Sequence, residues 1–297
     1  MKIEDLTQIQ PLLFERFEEI LRQDRLNHAY LFTGAFGSFE MAKCLAQSLF
    51  CTNKNGVLPC GECRNCRLIE EEDFSDVTVV RPVNQIIKTE RVRELVRNFS
   101  QSGFESSKQV FIICDADKMH VNAANSLLKV IEEPQSEVYI FLLTADENLI
   151  LPTIKSRAQR FYFPKNKAYL FEKLEQAGVM KTQAELLTVY SQTEEEAMRL
   201  ASSSSFFELV NECECFVSFC LNQKAIAYLQ VAKLASLADD KEKQGQALKV
   251  LEILFAKEME TECGRYYLDG IFTARKMWQA NVSFQNALEY MVLQERI

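Results

Sequence analysis

Histidine is almost missing from this chain: there are two in 297 residues, His28 and His120. Neither has a partner histidine at ligand or triad spacing, so no Ser/His/Asp or Cys/His nucleophile set can be assembled, and each reads as structural. Glycine and proline are scarce too, at nine and six. That is about 5% of the chain against an expected ~12%, so helices should dominate. No apolar run approaches the ~18 residues of a membrane span. The opening Met1-Lys2-Ile3-Glu4-Asp5 lacks the basic and then apolar regions of a signal peptide. The expectation is a cytoplasmic protein with no membrane contact. Positive charge is short as well: Lys and Arg number 34 against 42 Asp and Glu, a net charge of −8. The chain as a whole repels nucleic acid. A stand-alone DNA-binding protein is disfavoured by that sign, whereas a component of a larger machine that meets DNA is not.

What is present is an ordinary globular balance, 47% hydrophobic and 26% charged, with length for two domains, or three small ones, at roughly 150 residues each. The first 165 residues alternate strand-like and helix-like patterns. Ala29–Thr33, Asp76–Val80, Val110–Cys114 and Val138–Leu143 read as buried strands. Glu40–Phe50, Asn122–Glu133 and Thr89–Phe99 read as helices, the last with Val92, Leu95, Val96 and Phe99 on one stripe. Runs apolar on both faces and separated by helices imply a parallel sheet covered on both sides. From Asn166 onward no strand is expected. Residues 166–205 read as a small helical group ending in the serine run Ser202–Ser205, and 206–297 as longer amphipathic helices. Ala247, Val250, Leu251 and Leu254 form one stripe; Phe284, Ala287, Leu288, Met291 and Val292 form another. Such stripes pack a bundle core, and the same pattern serves packing between subunits.

Four of the ten cysteines, Cys51, Cys60, Cys63 and Cys66, fall within sixteen residues. Two overlapping Cys-x-x-Cys steps let neighbouring sulfurs converge on one ion, with Gly61 supporting the turn. Four thiolates close a tetrahedral shell and leave no open position for a substrate, the pattern of structural zinc; a redox pair is the competing reading.

The segment Thr33-Gly34-Ala35-Phe36-Gly37-Ser38-Phe39-Glu40-Met41 occupies the place of a phosphate-binding loop, between a first buried strand and a helix. A working loop needs a second glycine followed by Lys and Ser/Thr, to cradle phosphate, neutralise its charge and hold magnesium. Gly34 and Gly37 are kept, but those three positions are Phe39, Glu40 and Met41. A carboxylate beside a triphosphate adds repulsion of about 1 to 4 kcal/mol per charge pair. Cys114-Asp115-Ala116-Asp117 follows the strand that ends in Asp-Glu in ATPases of this architecture. Aligned on Ala116-Asp117, Cys114 replaces the magnesium carboxylate and Asp115 the water-positioning Glu; a one-residue slip would return Asp115 to the magnesium without restoring the lysine. ATP binding in cis is not expected.

The run His28-Ala29-Tyr30-Leu31-Phe32-Thr33-Gly34, the four-cysteine insert, Ala123-Ala124-Asn125-Ser126-Leu127-Leu128-Lys129-Val130-Ile131-Glu132-Glu133-Pro134 and Leu151-Pro152-Thr153-Ile154-Lys155-Ser156-Arg157 resemble the bacterial clamp-loader subunits of DNA polymerase III. Ala274-Arg275-Lys276 and Asn281-Val282-Ser283-Phe284-Gln285-Asn286-Ala287-Leu288-Glu289 resemble the collar domain of the same subunits. The resemblance implies an AAA+ module with a zinc insert (1–165), a small helical lid (166–205) and a helical collar (206–297) that joins a five-membered ring. Within that family the broken loop is similar to the delta-prime type rather than the ATP-hydrolysing gamma/tau type. The implied task is to act with gamma/tau and delta in placing the β sliding clamp on primed DNA. Ser156-Arg157 matches the motif that inserts an arginine into a neighbour's ATP site, although its third residue is Ala158 where the family has Cys. Thr144 matches the γ-phosphate sensor position, with a structural role expected where no nucleotide binds. Arg93 and Arg97 lie four residues apart on one helix face, with Lys88 and Arg91 nearby, and read either as a solvated face laced with Glu90 and Glu94 or as a phosphate contact. An active gamma/tau-type ATPase and a free-standing zinc adaptor are the alternatives.

Overall fold

The run Ala-Tyr-Leu-Phe-Thr forms a strand, β1 (Ala29–Thr33), with all five residues buried. Alternation sends its side chains to opposite faces of a sheet. Tyr30 and Phe32 enter one core with Phe14, Phe17, Met41, Leu45, Phe141 and Phe161. Ala29 and Leu31 enter another with Ile140, Leu142, Leu127 and Ile154. The sheet thus has helices on both faces. In this computed structural model, residues 3–84, 86–98, 107–132, 134, 137–222 and 224–294 are described. Phe99 and Glu133, expected in helices, lie outside them, as do the side chains of Leu95, Val96 and Arg97.

The chain begins with α1 (Ile3–Ile9) and α2 (Pro11–Arg22). After β1 come α3 (Ser38–Phe50), α4 (Arg64–Glu70), β2 (Val77–Val80), α5 (Thr89–Asn98), β3 (Lys108–Ile113), α6 (Val121–Glu132), β4 (Glu137–Thr144), α7 (Pro152–Lys155) and β5 (Gln159–Tyr162). The five strands are all parallel, in the order β2-β3-β4-β1-β5. Helices α2, α3 and α4 supply the Tyr30 face; α5, α6 and α7 supply the Leu31 face. This is the expected α/β layering, with each crossover helix returning the chain to a parallel neighbour. The ends of β1, β3 and β4 at Thr33, Ile113 and Thr144 are the edge where open α/β sheets place their ligands.

The chain divides into two compact units, Met1–Tyr169 and Leu170–Ile297. The divide falls within α8 (Lys167–Gln176). The second unit contains no strand among its described residues. Its helices are α9 (Lys181–Tyr190), α10 (Glu194–Ala201), α11 (Ser204–Asn222), α12 (Lys224–Leu237), α13 (Lys241–Lys257), α14 (Glu262–Gln279) and α15 (Phe284–Leu293). Side chains of Thr193, Asp240, Thr261 and Ser283 cap the starts of α10, α13, α14 and α15, satisfying amides that a helix start leaves open. Of the first expected stripe Ala247, Val250 and Leu251 are buried and Leu254 is half-buried; of the second, Phe284, Ala287, Leu288, Met291 and Val292 are all buried. Gly270 lets α14 approach α15 closely, since a Cβ there would lie 2.6 Å from Met291 Cγ. Among the described residues no helix is long and apolar enough to cross a membrane.

Phe17 joins α2 to three strand aromatics, with ring centroids 5.8 Å from Tyr30, 5.5 Å from Phe32 and 4.5 Å from Phe161. Removing a ring so enclosed costs both transfer free energy and a cavity. Phe17→Ala should therefore lower unfolding stability by about 3–5 kcal/mol in a denaturant titration, and a loss below about 1 kcal/mol would show that α2 is not part of this core.

Candidate functional site

The turn after β1, which the sequence places where a phosphate loop would sit, has two left-handed glycines and packs several of its side chains. Gly34 and Gly37 both lie in the left-handed region, at φ +87° and +78°, where a side chain is strained. Gly34 N–H donates to Thr144 O at 2.9 Å, which ties the turn to the end of β4. Between the glycines, Phe36 is buried and its ring meets Tyr169 edge-on at 6.3 Å. The buried Gln10 amide donates to Phe36 O at 2.8 Å and Pro164 O at 2.6 Å. Ile9 and Leu6 of α1 lie against Gly37.

The three substituted positions follow. Met41 is 1% exposed and sits in the core with Leu6 and Phe161, on the side of α3 that faces the sheet. Glu40 lies in the first turn of α3, where a helix N-terminus favours a carboxylate. Phe39 is half-buried, with Lys43 Nζ 5.2 Å and the Arg81 guanidinium 5.1 Å from its ring centroid. Both cations are also paired with acids: Lys43 with Glu70 at 3.0 Å, and Arg81 with Glu72 through two bonds of 2.5 and 2.7 Å. Hydrogen bonding to Arg81 holds the Glu72 carboxyl below its ordinary range, and Arg81 is raised in return. Nothing in the sequence pattern marked Gln10, Lys43, Arg81 or Glu72, because each partner lies on a different element.

At the end of β3, burial pushes the Cys114 thiol up to about 11, against the pull of nearby Arg81. A neutral thiol is a poor ligand for magnesium, which takes oxygen donors. Asp115 adopts a left-handed conformation, φ +49°, and pairs with Lys118 at 3.5 Å. Asp117 accepts from the Thr144 hydroxyl at 2.7 Å, and that hydroxyl also receives Asp146 N–H at 3.2 Å. Thr144 is buried, so its hydroxyl is spent on fastening two turns together. His28 Nε2 donates to Ile131 O at 2.6 Å and His120 Nδ1 accepts from Asn122 N–H at 3.4 Å.

The cysteine insert runs from the end of α3 into α4. All four Sγ atoms lie within 4.8 Å of one another; Cys51–Cys60 is 3.5 Å and Cys51–Cys63 is 3.9 Å. A tetrahedral zinc with bonds of about 2.3 Å would hold its sulfurs about 3.8 Å apart, so the cluster could hold such an ion. Backbone amides support the sulfurs: Cys60 N–H donates to Cys51 Sγ and Cys63 N–H to Cys60 Sγ, both at 3.3 Å. Burial pushes the Cys63 thiol up, but amide and hydroxyl donors at Cys66 and Thr52 outweigh it and bring it down to about 6. Cys51 and Cys66 are raised, chiefly by burial, and Cys60 is lowered by backbone donors at Cys63 and Glu62. Gln47 donates to Cys66 O and Asn65 to Phe50 O, each at 2.9 Å, so the insert is stitched to α3.

Arg157 follows α7 at another corner. Its Nε donates to Glu132 Oε1 at the end of α6, with Nη2 in ion-pair contact with the same oxygen, and its Nη1 donates to Thr153 O and Ser156 Oγ, both at 3.1 Å. The side chain is 37% exposed. Ala158, where a larger residue was expected from the resemblance, is buried beside Ile154. Of the basic residues near α5, Lys88 and Arg93 are exposed and Arg91 pairs with Glu94 at 3.4 Å.

Protein prepared without chelators should carry about one zinc per chain by elemental analysis, as one closed four-thiolate site requires. Chelation or Cys63→Ser should lower thermal stability, because such an ion contributes folding free energy directly; metal-free protein of undiminished stability would refute the metal reading.

Comparison with known proteins completes the site. The family profile described as "DNA polymerase III, delta subunit" matches residues 9–167. The delta' subunit of DNA polymerase III from Bacillus subtilis is 36% identical over 207 residues, covering 69% of this chain and 63% of that protein. The Pseudomonas aeruginosa delta' subunit is 35% identical over 134 residues, 44% of this chain and 41% of its own. The tau/gamma subunit of Haemophilus influenzae is 34% identical over 144 residues, 48% of this chain and 21% of its own. The matches thus span under two thirds of the length of these relatives. Among solved structures, a gamma subunit-related protein from Thermotoga maritima superposes with a TM-score of 0.53 at 17% identity, covering 94% of this chain and 96% of that one, a likeness of fold. With more than half its length matched by the family profile, and relatives of both the delta' and the tau/gamma kind, the chain belongs to the DNA polymerase III delta-subunit family of clamp-loader proteins.

Proposed function

We propose that this chain is a delta-prime-type clamp-loader subunit that carries out no ATP chemistry in cis and delivers Arg157 to the ATP site of a neighbouring subunit. The observation that carries the proposal is the filling of the loop. Met41 is in the core and Phe39 lies under Arg81 and Lys43, so hydroxyl, lysine and second glycine are replaced together. The left-handed glycines at 34 and 37 and the similarity to tau/gamma relatives are what an active-ATPase reading would draw on. Against it stand the thiol at Cys114 and the carboxylate at Glu40, which leave no magnesium ligand and no counter-charge at the expected places.

In this reading the partners are gamma/tau-type and delta-type subunits, the β sliding clamp and primed DNA inside the assembled ring, in the cytoplasm. Cys51, Cys60, Cys63 and Cys66 hold one structural zinc. Residues 166–205 act as the lid of the AAA+ module, and 206–297 as the collar through which the ring closes. Lys88, Arg91, Arg93 and Arg97 are the candidates for phosphate contact. Phosphoryl transfer spreads negative charge over the γ-phosphate oxygens, and a planar guanidinium stabilises that charge by geometry as well as by attraction. Ser156 and Thr153 hold Arg157 from one side and Glu132 from the other, at a partly exposed position from which the guanidinium could meet a neighbour.

Arg157→Ala should leave folding, zinc content and assembly near normal and lower ATP turnover of the reconstituted complex. The effect of one such arginine reaches on the order of 10³-fold at its own site, diluted in bulk by the other sites. Arg157→Lys should rescue poorly, since lysine keeps the charge and loses the fork. Unchanged turnover and clamp loading by an assembled Arg157→Ala complex would remove the trans role and leave a structural subunit.

A further inference from the structure

Arg157 has five N–H donors, and three are already engaged. Nε donates to Glu132 Oε1, and Nη2 lies in ion-pair contact with the same oxygen. The two hydrogens of Nη1 go to Thr153 O and Ser156 Oγ. Only Nη2 has hydrogens without a hydrogen bond. Bidentate recognition of a phosphate takes two parallel N–H groups on one edge of the guanidinium, and neither edge of Arg157 has two to offer in this arrangement.

We propose that Glu132 is a latch on Arg157: its carboxylate occupies the guanidinium edge that a neighbour's phosphate needs, and the arginine engages by exchanging one anion for the other. This rests on the trans-arginine reading above. The two sets of partners differ in what they can do. Thr153 and Ser156 belong to the same turn as Arg157, and Ser156 Oγ itself donates to Thr153 O at 3.0 Å, so they travel with the arginine and keep it aimed. Glu132 comes from the end of a separate helix, 25 residues away in sequence, and its side chain is 46% exposed. It can release the arginine into water at little desolvation cost. A γ-phosphate carries more charge than a carboxylate and accepts the same forked pair, so the exchange runs forward when a neighbour's triphosphate is docked and back after it leaves. Glu132 is thus a positioning residue that keeps the arginine off the surface's other anions until then.

The test uses the reconstituted complex with partner subunits whose own matching arginines are alanine, so that the site served by Arg157 dominates turnover. Glu132→Gln keeps the length and an oxygen acceptor and removes the charge; Glu132→Ala removes both. Either should raise turnover at subsaturating ATP roughly two- to fivefold at low salt, the range of an exposed ion pair. The change should appear as a lower KM. The gap between wild type and variant should narrow as salt rises, because screening weakens the wild-type latch by itself. In an Arg157→Ala background Glu132→Gln should change nothing. Turnover lowered or unmoved by both Glu132 variants, in complexes where Arg157→Ala does lower it, overturns the latch and spares the arginine reading. Turnover unmoved by Arg157→Ala overturns both.

Discussion

Gly34 has no room for a side chain. A Cβ placed there would meet the Phe163 carbonyl oxygen at 2.3 Å, while its own N–H is bonded to the end of β4. The turn from β1 into α3 is therefore pinned between the ends of three adjacent parallel strands, and its course does not depend on a bound phosphate. Because the backbone is held this way, the side chains that follow are free to be something other than phosphate ligands. Phe36 fills the turn from within, Gln10 closes it from α1–α2, and Met41 goes to the core. The interior of this turn is filled by packing.

The charges around that frame are spent as well. Arg81 and Lys43 each serve the Phe39 ring and an acid in or just after α4. Each exposed contact of this kind contributes only about 0.5–1 kcal/mol, but together they tie the cysteine insert, the end of β2 and the loop into one patch. Arg157 is the contrasting case. Its guanidinium is partly exposed and is held by Glu132, an acid whose own side chain is partly exposed.

The parts of this molecule that are continuous in sequence were legible in it. Strands β1 to β4 are apolar runs, and α3, α5 and α6 show helical spacing, because a parallel sheet covered on both faces leaves no polar side to blur the pattern. Strand β5 escaped notice: it is an edge strand, and Arg160 and Tyr162 point to solvent. Helices α1, α2 and α4 were missed too, two lying before the first strand and one inside a cysteine insert read only for its ligands. The sulfur cluster was readable because its four members lie within sixteen residues. The pairs Glu132–Arg157, Glu72–Arg81 and Gln10–Phe36 were not, because each joins two elements and no spacing rule reaches between them.

In the function proposed above, the turn from β1 into α3 has no capacity to bind nucleotide. Isothermal titration of the isolated, zinc-loaded chain with magnesium and ATP tests it most directly. The account predicts no saturable heat, and the same blank for Glu40→Lys, because Phe39, Met41 and Cys114 remain in place. Micromolar, magnesium-dependent binding by the unaltered chain would contradict it.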